Sequence, residues 1–107
     1  MGIIDDLLSK VKANLILQHN EDDDILRGYI RAAVNYAESY QKRPDKHYNK
    51  QRRMSSATEQ AVIMLSSHFY ESRDGSTGGF FADNTNAATQ VWLTVNRLLS
   101  LEKRWDV

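Results

Sequence analysis

The chain of 107 residues contains no cysteine, a single proline and no net charge, because 14 basic side chains balance 14 acidic ones. Without cysteine it can form no disulfide bond, thiolate zinc site, iron–sulfur cluster or cysteine nucleophile. A neutral chain is not expected to be a general binder of nucleic acid or of anionic membranes. The longest uninterrupted apolar run, residues 61–65, is far shorter than the roughly 20 residues that span a membrane. These absences predict a soluble protein.

The length and the first residues lead to two further expectations. Most domains contain roughly 100 to 150 residues, so we expect a single domain with its own core. The N-terminal residues include Asp5 and Asp6. These acids interrupt the apolar stretch that a signal peptide would need. A myristoylation motif would need Ser or Thr at position 6, where this chain has Asp6. We therefore expect the protein to remain in the compartment where it is made.

The charge is unevenly distributed along the chain. Residues 1–41 carry a net charge of −3 and residues 54–107 one of −2, whereas residues 42–53, here called the basic segment, carry +5. Its basic residues are Lys42, Arg43, Lys46, Lys50, Arg52 and Arg53. Two interpretations remain open: a basic loop that faces solvent, and a patch that contacts phosphates together with Tyr48.

The spacing of apolar residues predicts four helices and no strand, and therefore an all-α bundle. The first helix covers residues 5–14 and is followed by a short extended stretch over residues 15–17. The second begins after four acids, residues 21–24, whose side chains cap and favour a helix N-terminus. Its amphipathic stripe continues to residue 40, and Pro44 ends it.

The third helix is predicted to begin at Ser56, where Ser56 and Glu59 form a capping box, and to end near Arg73. It is apolar nearly all round, so it should be the central, most buried helix. A long glycine-rich loop then precedes the fourth helix, residues 86–104. Phe80 and Phe81 in this loop either fold back onto the core or face a partner.

Catalytic and metal-binding patterns are missing from the sequence. His19, His47 and His68 do not have the spacing of metal ligands. His68 and Glu71 lie on one helix face, but a metal site in a helix bundle needs such pairs on two helices and further acids. The acids of residues 21–24 do not form an EF-hand loop, because position 12 of such a loop would be Ala33 and not a glutamate. We therefore expect neither an enzyme nor a cofactor.

The order of the motifs resembles the head–tail connector proteins of long-tailed bacteriophages and prophages, also called adaptor or head-completion proteins. A short first helix and Leu15-x-Leu17 are followed by an acidic helix start. The next motif is Ile25-x-x-x-Tyr29-Ile30-x-Ala32-Ala33-x-x-Tyr36-x-Glu38-x-Tyr40. The most characteristic stretch is Gln60-Ala61-Val62-x-x-Leu65-x-x-His68-Phe69-Tyr70-Glu71-x-Arg73. Val95-x-x-Leu98-Leu99 and a basic end complete the resemblance, which covers nearly the whole chain.

The resemblance implies a structural protein that assembles with itself as a ring of about twelve copies. Such a ring would dock beneath the portal protein in the virion neck, extend the channel for double-stranded DNA and receive a tail-completion or stopper protein. The protein would be made in the cytoplasm of the host bacterium. No membrane takes part. The main alternative from the residues themselves is a small helical DNA-binding or regulatory protein that uses the basic segment.

Ring closure needs two different faces on each subunit, and the sequence offers several candidates. We expect the acidic helix start and the basic segment to carry complementary charge between subunits, or toward portal and DNA. A line of tyrosines on the second helix exceeds what one small core can bury, and the C-terminal tail is rich in residues typical of interface hot spots. These candidate interface residues are Asp22, Asp23, Asp24, Tyr29, Tyr36, Tyr40, Leu101, Arg104 and Trp105.

Overall fold

The computed structural model of the chain describes residues 2–44, 46–48, 54–72 and 85–101, with side chains of the last stretch from residue 89 onward. Four α-helices make up this part of the chain: α1 (Ile3–Leu15), α2 (Asp23–Tyr40), α3 (Ser56–Ser72) and α4 (Thr85–Ser100). No strand occurs among the described residues. The predicted all-α bundle is confirmed, and the helices begin and end within a few residues of the predicted positions. The fourth helix was predicted to reach residue 104, but it ends at Ser100 and Leu101 forms a turn after it.

Helix α3 is the centre of the bundle, as its apolar sequence predicted. It packs against each of the other three helices, whereas α1 and α4 do not touch each other within the described residues. Thr58 lies next to Gln41 and Tyr70 next to Asp22, so α3 runs antiparallel to α2. Among the described residues, no helix covers the side of α3 that lies between α1 and α4.

The core consists of aliphatic side chains from all four helices. Full burial of one such side chain contributes about 1.5–3 kcal/mol to folding. The largest fully buried apolar side chains are Leu7, Val11, Leu26, Ile30, Val62, Leu65, Val95 and Leu99. Their three- and four-residue spacing on each helix is the periodicity that predicted the helices.

Helix α1 ends in a left-handed turn instead of leading into the predicted extended stretch. Leu15 is still helical, and Ile16 adopts φ 58° and ψ 45°. The N–H of Leu17 donates to the carbonyl of Lys12 at 2.9 Å and that of Ile16 to the carbonyl of Ala13 at 3.2 Å, the pattern of a Schellman motif. Glycine is the usual residue at this position, because a β-branched side chain is strained there.

Helix α2 ends in the same way, four residues before Pro44. Lys42 has a φ of 60°, and the N–H of Arg43 donates to the carbonyl of Glu38 at 2.8 Å. The N–H of Lys42 donates to the carbonyl of Ser39 at 3.2 Å. The helix therefore stops at a defined left-handed turn, and Pro44 follows this stop without causing it.

The start of α3 differs in its chemistry from the sequence prediction. The hydroxyl of Ser55 accepts a hydrogen bond from the N–H of Thr58 at 3.1 Å, so Ser55 and not Ser56 caps the helix. Glu59 accepts hydrogen bonds from Lys10 Nζ at 2.7 and 2.9 Å, which links α3 to α1. The predicted capping box is therefore wrong, although the helix does begin at Ser56.

Candidate interaction surfaces

The acidic start of α2 is used mostly within the subunit. Asp23 pairs with Lys12 of α1 at 2.8 Å, and both side chains are largely buried. Asp22 accepts a short hydrogen bond from the hydroxyl of Tyr70 on α3 and makes no side-chain cap. These contacts fasten the N-terminus of α2 to its neighbours. Of the three predicted interface acids, only Asp24 has a fully exposed side chain, at 98%.

Arg27 connects the same helix start to α1. Its Nε donates to Asp5 at 3.1 Å and its Nη1 to Asp24 at 2.8 Å. The hydrogen bond to Asp5 contributes most to raising the pKa of the Arg27 guanidinium above its ordinary value. The Asp24 side chain stays 98% exposed despite its pair with Arg27, and the Glu21 side chain is 87% exposed. The negative charge that is available to a partner is therefore that of Glu21 and Asp24.

The tyrosine line of α2 lies at the edge of the core, against aromatic side chains of α3 and α4. The ring of Tyr36 meets that of Trp92 edge-on at 5.3 Å, and its hydroxyl donates to Asn96 Oδ1 at 2.7 Å. Tyr29 packs against Phe69 at 6.1 Å, and Tyr40 against Tyr36 at 6.1 Å. Each of the three tyrosines is half-buried, so each contributes to the subunit and also has an exposed side.

The basic segment is fixed to the bundle at its centre. Tyr48 is buried, and its backbone N–H donates to Glu38 Oε2 at 3.0 Å. Lys42 and Lys46 are exposed, and both have positive φ angles, 60° and 62°. The other predicted residues of the segment, Lys50, Arg52 and Arg53, lie outside the described residues. The described part of the segment is therefore not a simple solvated loop.

A buried polar network, which the sequence did not predict, holds the ends of three helices together. Gln41 is fully buried, and its Nε2 donates to Thr58 Oγ1 at 2.9 Å and to the carbonyl of Leu99 at 3.1 Å. The hydroxyl of Tyr48 donates a short hydrogen bond to Gln41 Oε1. The sequence carried one signal: Gln41 lies four residues after the buried Ala37 and continues the buried face of α2.

An open groove of about 320 Å³ lies on the uncovered side of α3. Its floor and walls come from three helices and are mostly apolar, with the carboxylate of Glu71 as the charged group. The lining residues are Asn14, Leu15, Met64, Ser67, His68, Glu71 and Val91. Asn14 Nδ2 donates to Ser67 Oγ at 2.8 Å, which joins α1 to α3 beside the groove.

His68 belongs to this groove and not to a ligand set. Burial lowers the pKa of its imidazole below the ordinary value, and its ring stacks edge-on against Trp92 at 6.1 Å. Among the described residues, no group of three or more His, Asp or Glu side chains could hold a metal ion. No helix in the described part of the chain is both long and apolar enough to cross a membrane.

The C-terminal tail and the loop before α4 are described only in part. Leu101 follows α4 directly and is 73% exposed. Arg104, Trp105, Phe80 and Phe81 lie outside the described residues, so their expected roles stay predictions.

The sequence model of a family described as phage gp6-like head–tail connector protein matches residues 5–100. No curated protein and no solved structure matches the chain significantly. The match extends from the first turn of α1 to the end of α4, and so it covers most of α1 and all of the other three helices. The chain therefore belongs to the phage gp6-like family of head–tail connector proteins.

Proposed function

We propose that this protein is a subunit of a ring of about twelve copies that docks beneath the portal of a filled capsid. The ring extends the DNA channel and provides the attachment site for the next tail or stopper protein. The observation that carries this proposal is the family match over residues 5–100. The family is a structural one, and we place this chain in the virion neck after its synthesis in the host cytoplasm.

The described surfaces fit a protein that functions by binding other protein subunits. Glu21 and Asp24 present negative charge at one end of α2, and Lys42 and Lys46 present positive charge beyond its other end. Because α2 has 18 residues, its two ends lie about 27 Å apart. A subunit with opposite charges at separate places can attract copies of itself head to tail. This arrangement supports the proposed ring, in which the fully exposed Asp24 contributes more than the less exposed Asp22 and Asp23.

Sedimentation with the portal protein tests the charge contribution. We expect the double variant Arg52→Glu, Arg53→Glu to assemble and dock more weakly than the unmodified protein, because it reverses two charges of the basic segment. The matched control is Arg31→Glu, which reverses an exposed charge on α2. Unchanged assembly and docking of the double variant would refute a role for the basic segment.

Truncation after Ser100 tests the proposed docking tail. The shortened chain keeps all four helices, so we expect a folded protein that binds the portal weakly. Leu101, Arg104 and Trp105 are removed together, and these residue types include those that dominate interface energies. A folded truncated chain with normal portal binding would contradict this part of the proposal.

The alternative, a DNA-binding protein, is tested by a salt titration against duplex DNA. A connector lets DNA pass without holding it, so we expect weak binding by the isolated subunit at physiological salt. A protein that neutralises six phosphates would bind tightly at low salt and lose affinity steeply as salt rises. Tight, strongly salt-dependent binding by the monomer would favour the alternative.

A further inference from the structure

The groove beside α3 lies between α1 and α4, and no helix in the described part of the chain covers it. Leu15, Met64 and Val91 line it with half-buried apolar side chains. Glu71 lies at its edge, is exposed and forms no ion pair among the described residues. An apolar groove with one unpaired carboxylate fits an apolar segment that carries one positive charge.

The outer face of α4 presents such a segment. Leu93 is 43% exposed and Leu101 is 73% exposed, and Arg97 is exposed between them. The spacing of four residues places Leu93 and Arg97 in one row along the helix, and Leu101 extends this row by four residues directly after the helix. Arg97 also forms no ion pair in the described part of the chain. We call this row the α4 ridge.

The ridge and the groove of one subunit face different directions. Val91 points into the groove, and a helix turns by about 100° per residue, so Leu93 and Arg97 lie roughly 200° and 240° around the axis from Val91. The ridge therefore cannot fill the groove of its own subunit. Two complementary surfaces that point in different directions form a head-to-tail contact, which closes into a ring when the rotation allows it.

We propose that the α4 ridge of one copy docks into the α3 groove of the next copy, with Arg97 paired to Glu71 across the contact. The proposal rests on the ring assembly proposed above and names the two surfaces that meet in it. The leucines of the ridge cover apolar groups of the groove, and the single ion pair sets the register. Ile16, which follows the groove residue Leu15 and is 81% exposed, adds apolar surface beside this contact.

A charge exchange between the two surfaces tests the contact. Like charges brought together at an interface are strongly unfavourable. We therefore expect Glu71→Arg alone and Arg97→Glu alone each to weaken self-association by at least about tenfold. The double variant, Glu71→Arg with Arg97→Glu, restores an ion pair with its charges exchanged, so we expect it to recover most of the lost association. Arg31→Glu is the matched control and should have a much smaller effect.

Cross-linking identifies the contact independently, because the natural chain has no cysteine. One preparation carries Glu71→Cys and another Arg97→Cys, and both positions are exposed, so both variants should fold. When the two variants are mixed under oxidising conditions, we expect disulfide-linked heterodimers to form in preference to either homodimer. A chain with both substitutions should form a ladder of linked copies. A mixture of Glu71→Cys with Arg31→Cys is the control pair.

Both measurements use the full chain, alone and with the portal protein, and circular dichroism verifies that each variant is folded. Rescue by the double variant and selective cross-linking support the contact. Rings that form normally with either single reversal, or cross-linking no better than in the control pair, would overturn this contact and leave the proposed ring in place. If the unmodified chain forms no assembly, alone or with the portal protein, this result contradicts the proposed function itself.

Discussion

Replacing Tyr48 with phenylalanine removes one hydroxyl group from the buried polar network and keeps the ring that fills the space. Tyr48 is 3% exposed and Gln41 is fully buried. The substitution leaves Gln41 Oε1 without the hydroxyl that donates to it. A buried polar atom that loses its partner costs about 1–3 kcal/mol. We expect the free energy of unfolding to fall by about 1–2 kcal/mol for this reason.

Urea unfolding followed by circular dichroism measures this change. For a domain of this size the free energy falls by about 1–3 kcal/mol per molar urea. The midpoint should therefore shift down by roughly 1 M. The matched control is Tyr29→Phe, because the hydroxyl of Tyr29 makes no hydrogen bond within the described residues and the ring is half-buried. Equal midpoints for Tyr48→Phe and the unmodified protein would refute the role of the network in fixing the basic segment.

Three further predictions concern single positions. Gly28 lies inside α2, and a Cβ added there would meet no atom within 4 Å. Gly28→Ala should therefore raise the free energy of unfolding, measured by thermal unfolding, by about 0.5–1 kcal/mol. A loss of stability would show that the space beside Gly28 is filled. Ile16→Gly should raise the free energy of unfolding by up to about 1 kcal/mol, because it relieves a left-handed β-branched residue, and a marked destabilisation would contradict this. The pKa of His68 is lowered in the folded state, so the unfolded state binds more protons, and stability should fall as the pH drops below about 6.5. His68→Gln should flatten this pH dependence. An unchanged slope of stability against pH would exclude His68 as its source.

The four helices could be predicted from the sequence because their apolar spacing is a local property. Each stripe, such as Leu26, Ile30 and Ala33 on α2, needs only knowledge of the helical period. The burial of α3 followed from the same information, since a helix that is apolar nearly all round must be covered on most sides. Even the resemblance to connector proteins rested largely on these stripes and on their order along the chain.

The contacts of individual polar residues could not be predicted in this way. Gln41 joins Thr58 and Leu99, which are 17 and 58 residues away, and no local pattern fixes such distances. The acids at the start of α2 look alike in the sequence, yet Asp23 is largely buried in its pair with Lys12, while Asp24 pairs with Arg27 and stays 98% exposed. Which charge is available to a partner is decided by tertiary packing, and this difference changes the surface that the proposed ring could use.

The left-handed turn at Ile16 was missed for a different reason. Isoleucine favours extended conformations, so the sequence predicted a short extended stretch. In the folded chain, two backbone hydrogen bonds close the end of α1 and Leu17 packs against the core. These contacts outweigh the local preference of one exposed side chain. This left-handed turn lies next to the α3 groove, where we propose that a neighbouring subunit docks.

Electron microscopy of the purified protein mixed with its portal protein tests the central claim most directly. We predict a ring of subunits, coaxial with the portal, with a central channel wide enough for double-stranded DNA and with α4 of each subunit against α3 of the next. Portal particles that carry no added ring, at concentrations where the unmodified chain is folded, would contradict the claim that this chain is a connector subunit.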